Sequence, residues 1–109
     1  MSSRRGSADW VLKFADNRSK KGWQELQRQF PGPLTKAYDA ILADPRCRTR
    51  PKRQWPLKAT LSTRKLGSRS LEQWQYDVTG SARVWYCIDD EPRVLWVTHA
   101  AVGHPKKTD

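Results

Sequence analysis

Apolar residues recur at helical spacing in two segments of the N-terminal half of the chain. The first segment follows the N-cap candidates Asp16 and Asn17, and it predicts a helix over about residues 18–29. Its apolar positions are Trp23, Leu26 and Phe30. One face of this helix is therefore expected to pack on a core.

The second helix has the most regular pattern in the sequence. Pro31-Gly32-Pro33 is expected to end the first helix, and Pro33 stands where a first-turn proline is tolerated. The helix should stop at Asp44-Pro45, because the residue before a proline avoids helical geometry. Its apolar stripe consists of Leu34, Ala37, Tyr38, Ile41 and Leu42. The short link between the two helices predicts a helical hairpin.

From Trp74 onwards apolar and polar residues alternate, which predicts a three-stranded antiparallel meander with turns at residues 79–81 and 89–92. We read Thr79-Gly80-Ser81 as a three-residue loop with a left-handed Gly80 or Ser81, so that Tyr76 faces Val84. The helix-covered face then holds Trp74, Tyr76, Val78, Val84, Tyr86, Ile88, Leu95 and Val97. The opposite face holds Gln75, Asp77, Arg83, Trp85 and Trp96. A two-residue loop would exchange the faces of the first strand.

Two segments leave alternatives open. Residues 10–14 are either a first strand or the start of a helix, because five residues do not reveal a period. Residues 46–69 read as a long loop with a short irregular strand near residues 57–61. The predicted fold class is α+β, with two N-terminal helices packed on a twisted antiparallel sheet of three to four strands. We expect a disordered N-terminus over residues 1–9, a single domain over 10–106 and a tail over 107–109.

The charge of the chain is concentrated in one segment. The 109 residues carry a net charge of +10, and residues 46–69 contain nine Lys or Arg and no Asp or Glu. Such a block suggests a polyanionic partner, most often nucleic acid, although a solvated and flexible basic loop has the same composition. No apolar run suits a signal peptide or a membrane span, so secretion and membrane insertion are not expected.

The cysteines give no sign of a metal site. Cys47 and Cys87 lie in unrelated contexts, without a CxxC pair or a Cys/His ligand spacing. We therefore expect no metal, no disulfide framework and a reducing, cytoplasmic location.

Three residues on the predicted open face suggest chemistry. Arg83 would be strongly unfavourable as an unpaired charge in the core, whereas on the open face it can hold a phosphate while a base stacks nearby. An ordinary salt bridge to Asp77 is the alternative. Trp85 and Trp96 either stack nucleobases or are covered by the basic segment.

Both histidines lie in the last eleven residues of the sequence. His99 follows the last strand with the parity of the core, so we expect it to be packed and hydrogen-bonded. His104 follows Gly103 beyond that strand, where it can reach a substrate as a general acid or base, or belong to a mobile tail.

The order of these motifs resembles the RelE/ParE superfamily of bacterial toxins. The family pattern is an aromatic strand, a Gly turn, an Arg-x-x-Tyr strand, an acidic turn, a valine-rich strand and a closing Gly-His. The matching stretches are Pro56-Leu57-Lys58, Trp74-Gln75-Tyr76-Asp77-Val78, Gly80-Ser81-Ala82-Arg83-Val84-Trp85-Tyr86, Ile88-Asp89-Asp90 and Gly103-His104-Pro105. The resemblance covers residues 10–106 and includes the two upstream helices.

The resemblance implies the toxin of a type II toxin–antitoxin pair, RelE-like, that cleaves mRNA on the ribosome without a metal or another cofactor. Its implied partners are a cognate antitoxin, the ribosome and mRNA. A ParE-like gyrase inhibitor and a non-catalytic basic RNA-binding module are the alternatives.

Site residues follow from the same resemblance. Arg83 would stabilise the transferring phosphate, and His104 would act as acid or base with help from Lys106. The residues expected to bind RNA are Arg46, Arg48, Arg50, Lys52, Arg53, Lys58, Arg64, Lys65, Trp85 and Trp96. The sequence departs from the nucleolytic pattern at Gln75, Asp77 and Pro105, where many members have basic residues.

Overall fold

The computed structural model of the protein describes residues 10–103, which form two helices and six strands. The elements are β1 (Val11–Phe14), α1 (Asn17–Gln29), α2 (Pro31–Ala43), β2 (Gln54–Pro56), β3 (Thr63–Leu66), β4 (Arg69–Asp77), β5 (Ala82–Asp89) and β6 (Val94–Val102). The expected disordered N-terminus, the expected tail and the candidate residues His104 and Lys106 lie outside the described residues. No helix of the described part is long and apolar enough to cross a membrane.

The sheet confirms the α+β prediction but has more strands than expected. Its order is β1-β6-β5-β4-β2, with β3 paired to the first half of β4, and β1 alone runs parallel to its neighbour among the pairs described. The three strands beyond the meander are only three or four residues long. Runs of that length show no readable period, which is why the sequence prediction of three to four strands was too low.

The basic segment, residues 46–69, contains more regular secondary structure than the sequence predicted. It contributes β2 and β3, and the intervening residues Ala59–Leu61 form a short 3₁₀ helix where the sequence suggested a strand. Ala59 has a φ of 54°, a left-handed conformation that is incompatible with strand geometry.

Helix α1 begins where the sequence predicted. Asp16 accepts a hydrogen bond of 2.8 Å from the backbone N–H of Ser19, and the two residues form a reciprocal capping box. Helix α2 begins earlier than expected, because Pro31-Gly32-Pro33 forms its first turn and only Phe30 separates the helices. Prolines fit there because first-turn N–H groups have no partner within a helix.

Helix α1 lies unusually close to β6. A Cβ atom added to Gly22 would lie 2.1 Å from the carbonyl oxygen of Ala100, so only glycine permits this approach. The contact fixes the helix against the sheet beyond the end of β1.

The register of the central hairpin confirms the predicted faces. Tyr76 pairs with Val84 and Trp74 with Tyr86, and all eight residues assigned to the helix-covered face belong to the buried core. The loop has three residues as expected, but Gly80 and Ser81 are not left-handed. Thr79 holds the loop instead, since its hydroxyl accepts hydrogen bonds from the N–H groups of Ser81 and Ala82.

Candidate nucleic-acid interface

The face of the sheet opposite the two helices, here called the second face, carries a row of four side chains. Successive strand partners across β2, β4, β5 and β6 are Trp55, Gln75, Trp85 and His99. Directly paired residues point to the same side of a sheet, so these four side chains form one line, which we call the central row.

Contacts within the central row orient its rings. The indole Nε1 of Trp85 donates a hydrogen bond of 2.8 Å to the amide oxygen of Gln75, and Gln75 Nε2 donates one of 2.8 Å to the carboxylate of Asp77. The ring centroids of Trp85 and His99 are 4.7 Å apart, with 45° between their planes. Trp85 is therefore held between an amide and an imidazole.

A β-bulge brings His99 to the second face. Trp85 pairs with His99 whereas Tyr86 pairs with Val97, which leaves Thr98 as the extra residue of β6. The expectation that His99 continues the core parity of Val97 is therefore wrong, because one inserted residue exchanges the faces of everything after it. Thr98 is anchored by a hydrogen bond of 2.5 Å from its hydroxyl to the side-chain oxygen of Gln73.

The electrostatic surroundings of His99 are strongly positive. Burial of the half-buried ring lowers the pKa of His99, and the charges of Arg83, Arg18 and Arg64 lower it further. Its Nε2 is buried and has no hydrogen-bond partner among the described residues. His99 is thus a neutral imidazole at neutral pH, and the fold leaves one of its nitrogens unused.

The three arginines around His99 come from three different elements. Arg83 is half-buried on β5, opposite Asp77, as the sequence analysis expected. Arg64 comes from β3, where its Nη2 lies 3.8 Å from the carboxylate of Asp16. Arg18 is exposed in the first turn of α1. Sequence reasoning missed this role for Arg18, because nothing local links that turn to the end of β6.

Trp96 is more enclosed than a stacking platform would be. Its Nε1 donates a hydrogen bond of 3.2 Å to Asp89, which also forms an ion pair with Arg69. Leu66 at the end of β3 and Gly67 in the turn after it border a cavity of about 300 Å³ together with Trp96 and Asp89. The alternative that the basic segment covers the aromatic residues therefore applies at Trp96.

Arg46 has a structural role. Its guanidinium forms ion pairs with Asp90 and Glu72 at 2.8 and 2.9 Å. These hydrogen bonds raise the pKa of Arg46 and lower the pKa of both carboxyl groups. The charge of Arg46 is locally compensated, so this residue joins the start of the basic segment to β4 and to the β5–β6 turn.

The other cations of the basic segment differ in the contacts that their side chains make with the rest of the protein. Arg50 donates to the sulfur of Cys47 at 3.6 Å, and Arg53 donates to the backbone oxygen of Asp77 at 3.0 Å. Arg48 lies over the ring of Trp74, 5.3 Å from its centroid. Lys65 is exposed on β3.

A cavity of about 800 Å³ lies at the β2 end of the central row, and we call it the basic groove. Its residues combine cations with apolar and aromatic groups, and none of those identified is acidic: Arg48, Pro51, Lys52, Trp55, Pro56, Leu57, Lys58 and Leu61. The sequence analysis named the three cations but overlooked Trp55, although the Trp-Pro pair inside a basic segment was a visible signal.

Within residues 10–103, no group of three or more His, Cys, Asp or Glu side chains is arranged to hold a metal ion. What the second face offers is guanidinium groups, a neutral imidazole and indole rings. Guanidinium groups suit phosphates, and indole rings suit unpaired bases.

No protein-family model matches the sequence, and no curated protein matches it. Among solved structures, the chain is similar to one in the crystal structure of the archaeal RelE-RelB complex from Pyrococcus horikoshii OT3. The TM-score is 0.58 at 17% identity, and the match covers 86% of this chain and 94% of that chain. The protein therefore has a RelE-like fold.

Proposed function

We propose that this protein is the toxin of a type II toxin–antitoxin pair and inhibits translation by cleaving mRNA on the ribosome. One observation carries the proposal: on a RelE-like fold, the charges of Arg83, Arg18 and Arg64 act on His99, and the His99 ring packs against Trp85 on the second face of the sheet. Positive charge beside an aromatic ring is the combination that binds single-stranded RNA, with phosphates on the cations and bases on the rings.

The proposed reaction is attack of an RNA 2′-hydroxyl on the neighbouring phosphate. The P–O5′ bond breaks, and the products carry a 2′,3′-cyclic phosphate and a 5′-hydroxyl. Arg83 stabilises the charge that develops on the phosphate oxygens, because a guanidinium stays protonated and offers several donors. From the sequence, His104 and Lys106 remain the predicted source of acid or base chemistry.

The basic groove is the proposed path of the RNA away from the reacting phosphate. It begins at Trp55, which stands in the same row as Trp85 and His99, and it offers Arg48, Lys52 and Lys58 for phosphates. Arg50 and Arg53 border a different cavity, next to Pro33 and Lys36 of α2, and Lys65 is exposed on β3. Arg46 is left out of this path, because two carboxylates already hold it.

The proposed protein partner is a cognate antitoxin. The similar structure is a complex of RelE with RelB, which supports this proposal. The proposed location is the cytoplasm, where ribosomes and mRNA occur.

A non-catalytic RNA-binding module is the second candidate, and the β4 strand favours it. The Gln75 amide bonds both Trp85 and the Asp77 carboxylate, and Asp77 stands opposite Arg83. The side chains on this strand are thus neutral or acidic where the nucleolytic pattern is basic. Such a protein would occupy the ribosome without cutting RNA.

A single-turnover assay on ribosomes loaded with end-labelled mRNA separates the two candidates. We expect cleavage by the wild type, with cyclic-phosphate ends, and a loss of about 10²–10³-fold in Arg83→Ala. Arg28→Ala is the matched control, because Arg28 is exposed on α1, the helix packed on the opposite face of the sheet. Wild-type protein that binds these ribosomes and leaves the mRNA intact would support the non-catalytic module instead.

A further inference from the structure

We infer that His99 is the general base of the reaction and that bound RNA phosphate makes it competent to accept the 2′-hydroxyl proton. This inference rests on the proposed function. Its structural basis is the bulge at Thr98, which takes His99 out of the core parity and packs its ring, tilted by 45°, against Trp85 within the central row.

The first argument concerns the unused nitrogen. Nε2 of His99 is buried and lacks a hydrogen-bond partner among the described residues. A buried polar atom left without a partner destabilises the folded state, which a histidine with only a packing role would avoid. A catalytic role is one explanation for a buried polar group that has no partner within the protein.

The second argument concerns the charges that face the ring. Arg83 from β5, Arg18 from α1 and Arg64 from β3 act on His99, and the neutral Trp85 ring packs against it. The Asp16 carboxylate lies beside Arg64, and Asp77 lies opposite Arg83. Burial of the ring, assisted by the three guanidinium groups, keeps the imidazole neutral, which is the form that a base requires.

The third argument concerns the effect of a bound RNA phosphate on the proton affinity of His99. A phosphate bound by the arginines offsets their charge at the ring, so the affinity of His99 for a proton rises when RNA is in place. The imidazole then takes the 2′-hydroxyl proton while the 2′-oxygen bonds to phosphorus. The P–O5′ bond breaks, and an acid returns a proton to the 5′-oxygen. Two proton-transfer groups are needed, and the sequence prediction for His104 supplies the second.

Nuclear magnetic resonance tests the coupling directly, because the chain has only two histidines. The spectrum of His104→Ala assigns the remaining ring signal to His99. Its pKa should rise by about one pH unit or more when a single-stranded 2′-deoxy oligonucleotide, which cannot be cleaved, saturates the protein. A pKa that stays unchanged at saturation overturns the inference, whatever the protein does to RNA.

Cleavage on loaded ribosomes tests the chemical role. His99→Ala should lose about 10²–10⁴-fold in single-turnover rate, and added imidazole should restore part of it. Arg83→Ala should gain nothing from imidazole, because it lacks a cation and not a base. A His99→Ala enzyme that cleaves at the wild-type rate overturns the inference and leaves the proposed function standing. If the wild type itself does not cleave, the proposed function is wrong and so is the base assignment, whereas the resonance result still decides whether His99 senses a bound anion.

Discussion

The hydroxyl of Tyr86 donates a hydrogen bond of 2.6 Å to the carbonyl oxygen of Pro45, 41 residues earlier in the chain. It also accepts one of 2.9 Å from Gln54 Nε2, which donates in turn to the carbonyl oxygen of Asp44. Burial raises the pKa of Tyr86, so the hydroxyl keeps its proton and remains a donor. One core side chain thus fastens the end of α2 and the start of β2 to the centre of the sheet.

We expect Tyr86→Phe to destabilise the protein by about 1–3 kcal/mol, because the buried carbonyl of Pro45 loses its donor and Gln54 loses an acceptor. The free energy of unfolding in urea measures the effect. Tyr38→Phe is the matched control, since Tyr38 is 39% exposed, and it should change stability little. Equal stabilities of the two variants would mean that the Tyr86 bonds contribute nothing net.

Substitution of two glycines should have opposite effects. Gly22→Ala places its methyl group 2.1 Å from the Ala100 carbonyl oxygen, so α1 must move away from β6, at a cost of about 1–3 kcal/mol or more. Gly80→Ala, in the loop between β4 and β5, meets no atom within 4 Å apart from its chain neighbours, and its φ is not left-handed, so alanine should stabilise the protein by up to about 1 kcal/mol by restricting the unfolded chain. Thermal denaturation of both variants checks the prediction. A Gly22→Ala protein as stable as the wild type would contradict the close approach.

The basic groove predicts a salt-dependent affinity. Replacing Arg48, Lys52 and Lys58 by Gln should lower the slope of log K against log salt for single-stranded RNA by about 2, since each lost phosphate contact contributes about 0.7. Fluorescence anisotropy over a salt series measures that slope.

The control for the groove variant removes the same charge from α1. Lys20, Lys21 and Arg28 are exposed on that helix, away from the groove. Their replacement by Gln should leave the slope close to that of the wild type. If the two triple variants bind RNA alike at every salt concentration, total charge and not the groove governs the affinity.

The lowered pKa of His99 predicts that the protein loses stability as the pH falls. Its folded-state pKa lies below the value of about 6.5 of an unfolded chain, so the unfolded state binds more protons as pH falls. The contribution of His99 to stability is therefore fully present above about pH 7. It should decline as the pH falls below about 6.5, and the decline should end once the pH lies below the folded-state pKa of His99. His99→Gln should lack this component of the decline in urea denaturation measured between pH 7.5 and 5. The same slope in both proteins would show that His99 titrates alike in the folded and unfolded states.

Substitution of Arg18 tests independently whether the arginine charges lower the pKa of His99. Arg18→Gln removes one of the charges acting on His99, so the pKa of His99 should rise towards its usual value. Lys20→Gln, two residues further along α1, removes the same charge and should have no comparable effect. Histidine resonances followed through a pH titration distinguish the variants.

The sequence by itself determined the features that follow from the repeat of apolar residues along a single helix or strand. Because helical and strand periods are visible within a dozen residues, the Asp16 cap, the Tyr76–Val84 register and the apolar stripes of α1 and α2 are confirmed, except that Tyr38 of the α2 stripe is exposed. The same alternation correctly assigned Arg83 and Trp85 to the second face.

Only the tertiary structure decided what depends on contacts between distant segments. The Thr98 bulge changed the face of His99, and a single inserted residue leaves no mark on a local pattern. Long-range contacts likewise tie Arg46 to Glu72 and Asp90, and they place Arg83, Arg18 and Arg64 where their charges act on His99. Sequence alternation predicts which side a strand residue faces, but which charges meet there is set by how separate elements pack.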